Sequence, residues 1–323
     1  MLIIIKFACC TEFMRDEIFN NIIEALQVKY YRAALREIVK PAELNATIEP
    51  RNVLVQVKSG NCYGESVFTK IEPDFFYFMP VGSPIYFRHG KSEKYTVFGK
   101  EGFSSPEHRE EFVKSRSIKE GYDDKKDIFS IIGFDVAIYG AIPFFSILEL
   151  PCFIIPKDEE MSYLMEAIIF EEENRNLGRD RMLKNLTEEL VVHICRYIHS
   201  KPQYQKNFEK ISYLLDKRLI NIIHFVQNNL KQDLSNHIIA EIAFVSKDYV
   251  GQFFKSLTNT NLQDYIENQR LEKAHYLLRT SKENIQEIAL NVGFKDPAYF
   301  SRRFKLRFTQ NANQIRRDNI IGL

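Results

Sequence analysis

Residues 285–305 read IQEIALNVGFKDPAYFSRRFK, a stretch that encodes two short helices joined by a tight turn. Apolar residues recur at three- and four-residue spacing in its first half, which is typical of a helix that buries one face. Gly293 supplies a residue that tolerates positive φ at the turn. Asp296 is a good N-cap, and Pro297 fits the first position of the second helix, where its missing N–H costs nothing. The stretch therefore predicts a helix-turn-helix.

The second helix of this stretch is predicted to have one aromatic face and one polar face. Tyr299, Phe300 and Phe304 are expected to pack inward. The residues left facing outward are Ala298, Ser301, Arg302 and Lys305. A helix that exposes such hydrogen-bond donors fits the major groove of DNA.

A weaker copy of the same pattern lies upstream, between Leu234 and Lys255. Ser235 and Ser246 can cap its two helices. Between the copies, apolar residues keep helical spacing from about 262 to 279, which predicts one rigid connecting helix. Two units held in this way would enter major-groove segments about one turn apart, on the order of 34 Å.

Residues of about 216 to 317 resemble the DNA-binding domain of AraC-family transcriptional regulators. The resemblance is carried by Leu234-Ser235, Ile239-Ala240, Val245-Ser246, Phe254-Lys255, Tyr265, Arg270-Leu271, Ala274, Leu277-Leu278, Ile285, Ile288-Ala289, Val292-Gly293-Phe294, Asp296, Tyr299-Phe300-Ser301-Arg302 and Phe304-Lys305. It covers about a third of the chain. It implies a transcription regulator that binds double-stranded DNA in a sequence-specific manner.

The first unit departs from the family pattern in two ways. Phe244 stands where the family often has glycine or another small residue. A bulky residue at positive φ is disfavoured by roughly 1–3 kcal/mol, so we expect this turn to take another shape. Gly251 and Gln252 occupy outward positions where many relatives carry longer or basic side chains. The second unit is therefore expected to dominate the reading of bases.

The outward residues take predicted roles from their chemistry. Arg302 is the leading candidate for a base contact, because its guanidinium can bond guanine O6 and N7 together, worth about 1–3 kcal/mol of discrimination. Ser301 and Ala298 are predicted to support it. The weaker base-reading candidates in the first unit are Gln252, Asp248 and Lys247. The predicted phosphate contacts are Lys255, Lys305 and Arg303.

The charge balance divides the chain. Residues 216–323 hold 16 Lys and Arg against 11 Asp and Glu, which leaves 28 against 32 for residues 1–215. A basic end joined to an acidic front fits a DNA-binding module attached to a different domain. The predicted organisation is a β-rich regulatory domain with an N-terminal helix over 1–160, a helical linker over 161–213 and the DNA-binding domain over 214–323.

The front of the chain is predicted to be helical over about 11–39 and β-rich afterwards. From 46 to 156, short β-branched and aromatic runs are broken by Gly and Pro, which indicates an antiparallel sandwich or barrel. Joined to the C-terminal motif, this resembles the cupin-like (jelly-roll) sensing domain of many AraC regulators, by architecture only. The expected fold class is thus α+β, with an antiparallel jelly-roll, a helical linker and an all-α tandem helix-turn-helix domain.

An effector pocket inside this β-rich domain is one reading of its aromatic residues. Phe76, Phe78 and Tyr86 are the candidates to line it, with plain core as the alternative, because alternate residues of any strand point inward. The charge-rich segment 91–127 is predicted to be a solvated insertion between strands, with a lid over such a pocket as the alternative.

A possible subunit interface lies in the helical region that follows. Leu183, Leu186, Leu190 and Ile194 share a three–four spacing that forms a seam on one helix face. We expect a homodimer through residues 180–199, with packing against the chain's own barrel as the alternative.

The sequence lacks the patterns of an enzyme or a metal site. His89 and His108 are far apart, without the His-x-His pair of metallocupins, and the five cysteines show no metal-ligand spacing. We therefore expect no metal, no cofactor and no enzymatic activity. The scattered cysteines indicate reduced thiols, and no apolar stretch has the length of a signal peptide core or a membrane span. The predicted location is the cytoplasm, without a membrane partner.

Two functions therefore compete. The first is a sequence-specific DNA-binding transcription regulator, controlled by an effector or partner that acts on its N-terminal domain. The second is a sensor or adaptor that acts mainly through protein partners and binds DNA weakly, for which Phe244, Gly251 and Gln252 argue. An enzyme with a DNA-targeting tail is disfavoured by the missing ligand set.

Overall fold

The computed structural model divides the chain into two units, each with its own hydrophobic core. It describes residues 16–17, 19–100, 102–103, 106–123, 125–140, 142–209, 216–308 and 310–321. The first unit comprises Met1–Ile138 and Pro143–Ile211, and the second comprises Tyr139–Ile142 and Ser212–Leu323.

The first unit is built on two β-sheets. The strands are β1 (Leu26–Ile38), β2 (Ala42–Ile48), β3 (Asn52–Ser59), β4 (Cys62–Gly64), β5 (Thr69–Ile71), β6 (Phe76–Met79), β7 (Pro84–His89), β8 (Thr96–Phe98), β9 (Val113–Arg116), β10 (Ile128–Ile138), β11 (Ile142–Pro143) and β12 (Phe153–Ile155). The larger sheet has the order β12-β6-β3-β10-β1-β9, and the smaller has the order β5-β4-β7-β2-β8. The pairings within these orders are antiparallel, apart from β2 with β8, which is parallel.

The two sheets share one core, which confirms the predicted β-rich front of an α+β chain. Val55 of β3, Tyr77 of β6 and Phe129 of β10 pack there with Phe87 of β7 and Ala42 of β2. Residues from both sheets thus meet in one apolar layer, as expected of a jelly-roll or cupin-like domain.

The strand β1 corrects the prediction of a helix over 11–39. Helical residues are confined to 16–17 and to α1 (residues 19–24), and β1 follows at once. It pairs with β10 on one side and β9 on the other, with a bulge between Tyr30 and Arg32. The bulge interrupts the two-residue alternation, so the apolar spacing looks helical in the sequence. Residues 11–15 and 18, which belong to the same prediction, lie outside the described residues.

The charge-rich segment 91–127 was expected to be a solvated insertion, which is wrong for much of its length. It contributes β8, the short helix α2 (Pro106–Glu110) and β9, which forms the edge of the larger sheet. Phe98, Phe112 and Val113 are buried in the shared core. A few apolar residues are enough to anchor this charge-rich segment in the core, because an edge strand of an antiparallel sheet can bury one face and expose the other.

The first unit also contains helices that follow the strands, most of which pack on the larger sheet. They are α3 (Phe144–Leu148), α4 (Glu159–Asn174), α5 (Arg179–His199) and α6 (Gln205–Glu209). The helices α4 and α5 pack against each other and against β1. Polar contacts join the same layers, since Lys58 of β3 forms an ion pair with Glu166 of α4 at 2.8 Å.

Among its described residues, the second unit is helical apart from turns, loops and the segment Tyr139–Ile142. Its helices are α7 (Lys217–Asn228), α8 (Asn236–Ala243), α9 (Lys247–Thr258), α10 (Leu262–Thr280), α11 (Ile285–Asn291), α12 (Pro297–Phe308) and α13 (Ala312–Ile321). Helices α8 and α9 form the first helix-turn-helix, α11 and α12 form the second, and α10 connects them. The predicted tandem arrangement is therefore confirmed. Within the described ranges, every helix falls short of the length or the apolar content that a membrane span requires.

Candidate nucleic-acid interface

Helix α12 is held by aromatic packing on one side. Phe300 and Phe304 are completely buried, with ring centroids 5.4 Å apart. The ring of Phe294, just before the helix, lies 5.2 Å from that of Phe300. At the start of the helix, the Asp296 carboxylate accepts a hydrogen bond from the Ala298 N–H at 2.8 Å. The predicted cap and two of the three predicted inward aromatics are therefore present.

The turn before α12 is fixed by a close approach of backbone to backbone. Gly293 has φ +96°, and a Cβ placed there would lie 2.2 Å from the carbonyl oxygen of Leu230. The same carbonyl accepts a hydrogen bond from Nε of Arg270 at 3.0 Å. Glycine is thus required both by the backbone conformation and by the space.

The opposite side of α12 carries the predicted DNA-reading residues. Ala298, Ser301, Arg302 and Lys305 are all exposed, within an arc of about 100°. The Ser301 hydroxyl donates to the Pro297 carbonyl at 2.9 Å, and the Arg302 guanidinium lies 6.0 Å from the centre of the Tyr299 ring. Among the described residues, no carboxylate pairs with Arg302 or Lys305. Both cations are free to meet an anionic partner.

Tyr299 and Arg303 are arranged differently from the expectation. Tyr299 is 40 % exposed rather than packed inward, and its hydroxyl donates to the Glu267 carboxylate at 2.5 Å. Nε of Arg303 donates to the same carboxylate. These hydrogen bonds raise the pKa of both Tyr299 and Arg303. Glu267 lies in α10, so the connecting helix orients two side chains of α12.

Glu267 was missed in the sequence, because nothing in the chain around residue 267 marks it. The partner residues are 32 and 36 positions away. Arg303, a predicted phosphate contact, is half-buried beside Glu267. It is therefore less available than Lys305, which is exposed.

Helix α9 presents the same geometric template as α12, fifty positions earlier in the chain. Val250 and Phe254 are completely buried, as Phe300 and Phe304 are in α12. The exposed candidates of α9 are Lys247, Asp248, Gln252 and Lys255. A lysine therefore stands at the same place in both helices, but Gln252 replaces the arginine and Gly251 replaces the serine. The first helix-turn-helix therefore offers fewer hydrogen-bond donors on an equivalent face.

The turn of the first helix-turn-helix, between α8 and α9, keeps the left-handed conformation. The expectation that this turn takes another shape is therefore wrong. Phe244 has φ +54° and ψ +42°, and its side chain is 88 % exposed. Because the ring points into solvent, the cost is confined to the backbone. Ser235 and Ser246 stand at the predicted N-cap positions, but neither side chain makes a capping hydrogen bond.

The predicted dimerisation residues lie in α5. Leu183, Leu190 and Ile194 are buried within the first unit, where α5 packs on α4 and β1. Leu186 is half-buried. Contacts within the chain thus occupy three of the four side chains.

A cavity of about 590 Å³ lies inside the first unit. Phe76 and Phe78 are completely buried but point to the other side of the larger sheet, where Phe78 contacts the rings of Phe134, Phe145 and Phe153. Strand alternation places Met79 in the cavity wall instead. Tyr86 is half-buried, between Ile85 and Phe87, which do line the cavity. The cavity wall thus includes none of the three predicted pocket residues.

His89 and His108 have different surroundings. His89 lines the cavity, and His108 packs its ring against Phe98 and Phe112. In the part of the chain that the structure describes, no group of three or more His, Cys, Asp or Glu side chains could hold a metal ion.

Two helix-turn-helix units on one connecting helix, with a basic face on the second, define a DNA-binding module of the kind found in transcription regulators. The comparisons agree. A family model described as a helix-turn-helix domain matches residues 239–318. The Tn10 transposon protein TetD of Escherichia coli is 32 % identical over 130 residues, which cover 38 % of this chain and 94 % of TetD. The chain belongs to the AraC family of transcriptional regulators.

Other relatives match the same region. The regulatory protein SoxS of Escherichia coli K12 is 30 % identical over 100 residues, which cover 31 % of this chain and 94 % of SoxS. A solved AraC-type regulator from Chromobacterium violaceum is 25 % identical with a TM-score of 0.31, covering 32 % of this chain and 92 % of that one. The sequence matches to TetD and SoxS identify the chain as a DNA-binding transcription regulator of this family.

Proposed function

We propose that this regulator reads its DNA site mainly through α12, with Arg302 as the base-reading residue. The observation that carries this proposal is the joint exposure of Ala298, Ser301, Arg302 and Lys305 opposite the buried Phe300 and Phe304. An unpaired guanidinium on such a face can grip guanine with two hydrogen bonds. Lys305 and Lys255 contact phosphates, and Arg303 does so only if it gives up part of its bonding to Glu267.

Helix α9 contributes mainly affinity in this proposal. Its exposed face carries Lys255 at the same place as Lys305 in α12, but it has Gln252 in place of an arginine. Asp248 and Lys247 add weaker base contacts. A site with one strongly and one weakly specified half is the expected result.

A small molecule bound in the cavity of the first unit is proposed to control DNA binding. The cavity has the size of a ligand pocket, which is about 300–1,000 Å³, and its wall combines apolar with charged side chains. A regulator that acts on chromosomal DNA works in the cytoplasm, so this location is part of the proposal.

A homodimer is also proposed. Because Leu183, Leu190 and Ile194 are buried in the first unit, Leu186 and its exposed neighbours on α5 would form the contact. A Leu186→Glu variant is expected to halve the mass in solution of a measured dimer. An unchanged mass would exclude this face of α5.

The alternative function, an adaptor that acts through protein partners, is favoured by one observation. Phe244 exposes 88 % of its surface and has a strained backbone conformation with φ +54°. Tyr249, five positions later in the sequence, is also exposed. A Phe244→Asn variant distinguishes the two functions, since asparagine tolerates the same φ. Unchanged regulation in cells supports the DNA-reading function, whereas lost regulation with intact DNA affinity supports the adaptor.

Selection of bound duplexes from a random pool tests the main proposal. We expect a defined motif for the natural chain and loss of preference at one base position for Arg302→Ala. Arg307→Ala is the matched control, because Arg307 lies in the same helix but forms an ion pair with Glu272 of α10 at 3.1 Å. The proposal fails if Arg302→Ala keeps the full motif, or if the natural chain selects none.

A further inference from the structure

The cavity between the two sheets combines an apolar wall with positive charge. Its apolar lining includes Val55, Met79, Ile85, Phe87, Phe129 and Ile131. The strand β1 adds Arg32, Ala34 and Arg36 to this lining, and Arg109 joins them from α2. Positions that face the interior of a sandwich are normally apolar, so the arginines require an explanation.

Arg36 lies within the electrostatic influence of both Arg109 and Arg32. Burial, and then the charges of Arg109 and Arg32, lower the pKa of Arg36, while Glu110 acts in the opposite direction. Arg36 donates a hydrogen bond to the Ser115 hydroxyl, a neutral acceptor. Nε of Arg109 is buried without any hydrogen-bond partner. Within the described residues, none of the three guanidinium groups forms an ion pair, although Glu49 also lines the cavity.

His89 adds a second unsatisfied group to the same cavity. Its side chain is 2 % exposed, and burial lowers its pKa to about 4, so the imidazole is neutral at pH 7. Nδ1 of His89 has no hydrogen-bond partner. Its ring lies 5.9 Å from that of Phe87 and 6.5 Å from that of Phe129, both of which line the cavity. Buried polar atoms without partners are rare, and a bound ligand is one of the few physical reasons for them.

We propose that this cavity binds a small amphipathic anion, whose carboxylate or phosphate head is held by Arg36 and Arg109 and whose apolar body lies between the sheets. Guanidinium groups match both anionic heads through two parallel hydrogen bonds. Arg32 is exposed and adds charge at the cavity mouth. His89 supplies a further hydrogen bond through Nδ1. This inference rests on the proposed control of DNA binding by a ligand of the first unit, and it names the chemical class of that ligand.

Four probes test the class with the full chain by isothermal titration calorimetry. Octanoate, octyl phosphate and octan-1-ol share one apolar chain and differ in the head, and inorganic phosphate has a head without the chain. We expect at least one of the two anionic amphiphiles to bind tenfold or more tightly than octan-1-ol and inorganic phosphate. The stronger of the two anions identifies the head. Equal binding of octan-1-ol, or equal binding of inorganic phosphate, overturns the proposal.

Variants assign the site. Arg36→Gln and Arg109→Gln are each expected to weaken binding of the preferred anion at least tenfold. Arg181→Gln, on the exposed side of α5, is the matched control and is expected to bind as the natural chain does. If one cavity variant fails to fold, the other suffices, since they lie in different elements. Unchanged affinity in both overturns the assignment.

A gel shift with the selected duplex separates this inference from the proposed function. If an anion binds through Arg36 and Arg109 but leaves DNA affinity unchanged, the result supports the binding site. The same result overturns the proposal that a ligand in this cavity controls DNA binding. Absence of binding by every probe, with DNA binding intact, overturns the site and leaves the reading of DNA by α12 untouched.

Discussion

The carboxylate of Glu267 in α10 accepts hydrogen bonds from Arg303 and Tyr299 of α12, and so joins the connecting helix to the recognition helix. We predict that Glu267→Gln weakens both contacts without changing the shape of the side chain. The Arg303 side chain is more than a third exposed, so the stability loss is expected to be small, about 0.5–1 kcal/mol. The effect on DNA recognition is expected to be larger, with a several-fold loss of the specificity ratio, because α12 loses its orientation.

The measurement compares binding to the selected duplex and to a scrambled duplex. Glu272→Gln is the matched control, since Glu272 pairs with Arg307 of the same helix. An equal change in specificity for both variants would assign the effect to lost charge rather than to the position of α12.

The two helix-turn-helices each contain a glycine, which permits a paired test of substitution by alanine. Gly293→Ala is expected to destabilise the second unit by about 2–4 kcal/mol, because its φ is +96° and the new Cβ meets the Leu230 carbonyl at 2.2 Å. Gly251→Ala in α9 is expected to stabilise by about 0.5–1 kcal/mol, since its Cβ meets only Asn236 Nδ2 at 3.7 Å. Urea unfolding of both variants measures the difference. Two changes of the same sign would contradict the packing described for the turn.

The sequence predicts the second unit better than the first, for a physical reason. Helices and their caps are local, so the spacing around Gly293 and Asp296 fixes α11, the turn and α12 without distant residues. Tyr299 shows the limit, because its exposure depends on Glu267 in another helix. In the first unit, β1 depends on pairing with β10 about a hundred positions away. For the same reason, the sequence did not predict that Arg32 and Arg36 line the cavity. The bulge between Tyr30 and Arg32 changes which residues of β1 face inward, and its position depends on the pairing with β10.

Salt dependence tests the two predicted phosphate contacts that are free of ion pairs among the described residues. Lys255→Ala and Lys305→Ala are each expected to lower the slope of log K against log salt by about one. Both are expected to weaken specific and non-specific duplexes alike, because phosphates carry no sequence information. Fluorescence anisotropy at several salt concentrations measures the slopes.

Lys273→Ala provides the control for charge alone. Lys273 lies in α10, with its ammonium 5.3 Å from the centre of the Tyr276 ring, and belongs to neither recognition helix. A slope change in this variant equal to that of Lys305→Ala would mean that long-range charge, and not a phosphate contact, sets the salt dependence.

The pH dependence of stability is expected to report on His89. Its pKa falls from about 6.5 in the unfolded chain to about 4 in the fold, because burial disfavours the charged imidazole. The unfolded state therefore binds more protons between these values, and stability rises with pH across this window. The contribution of His89 is fully present above pH 6.5 and is lost as the pH falls toward 4, by up to about 3 kcal/mol. Urea unfolding at pH 7, 5.5 and 4.5 measures it.

The informative quantity is the difference between the natural chain and His89→Phe, since carboxylates also titrate in the lower part of this range. We expect the variant to lose less stability between pH 7 and 4.5, because phenylalanine cannot take up a proton in the cavity. If His89→Phe lost as much stability as the natural chain, burial of His89 beside Phe87 and Phe129 would not lower the pKa of its imidazole in solution.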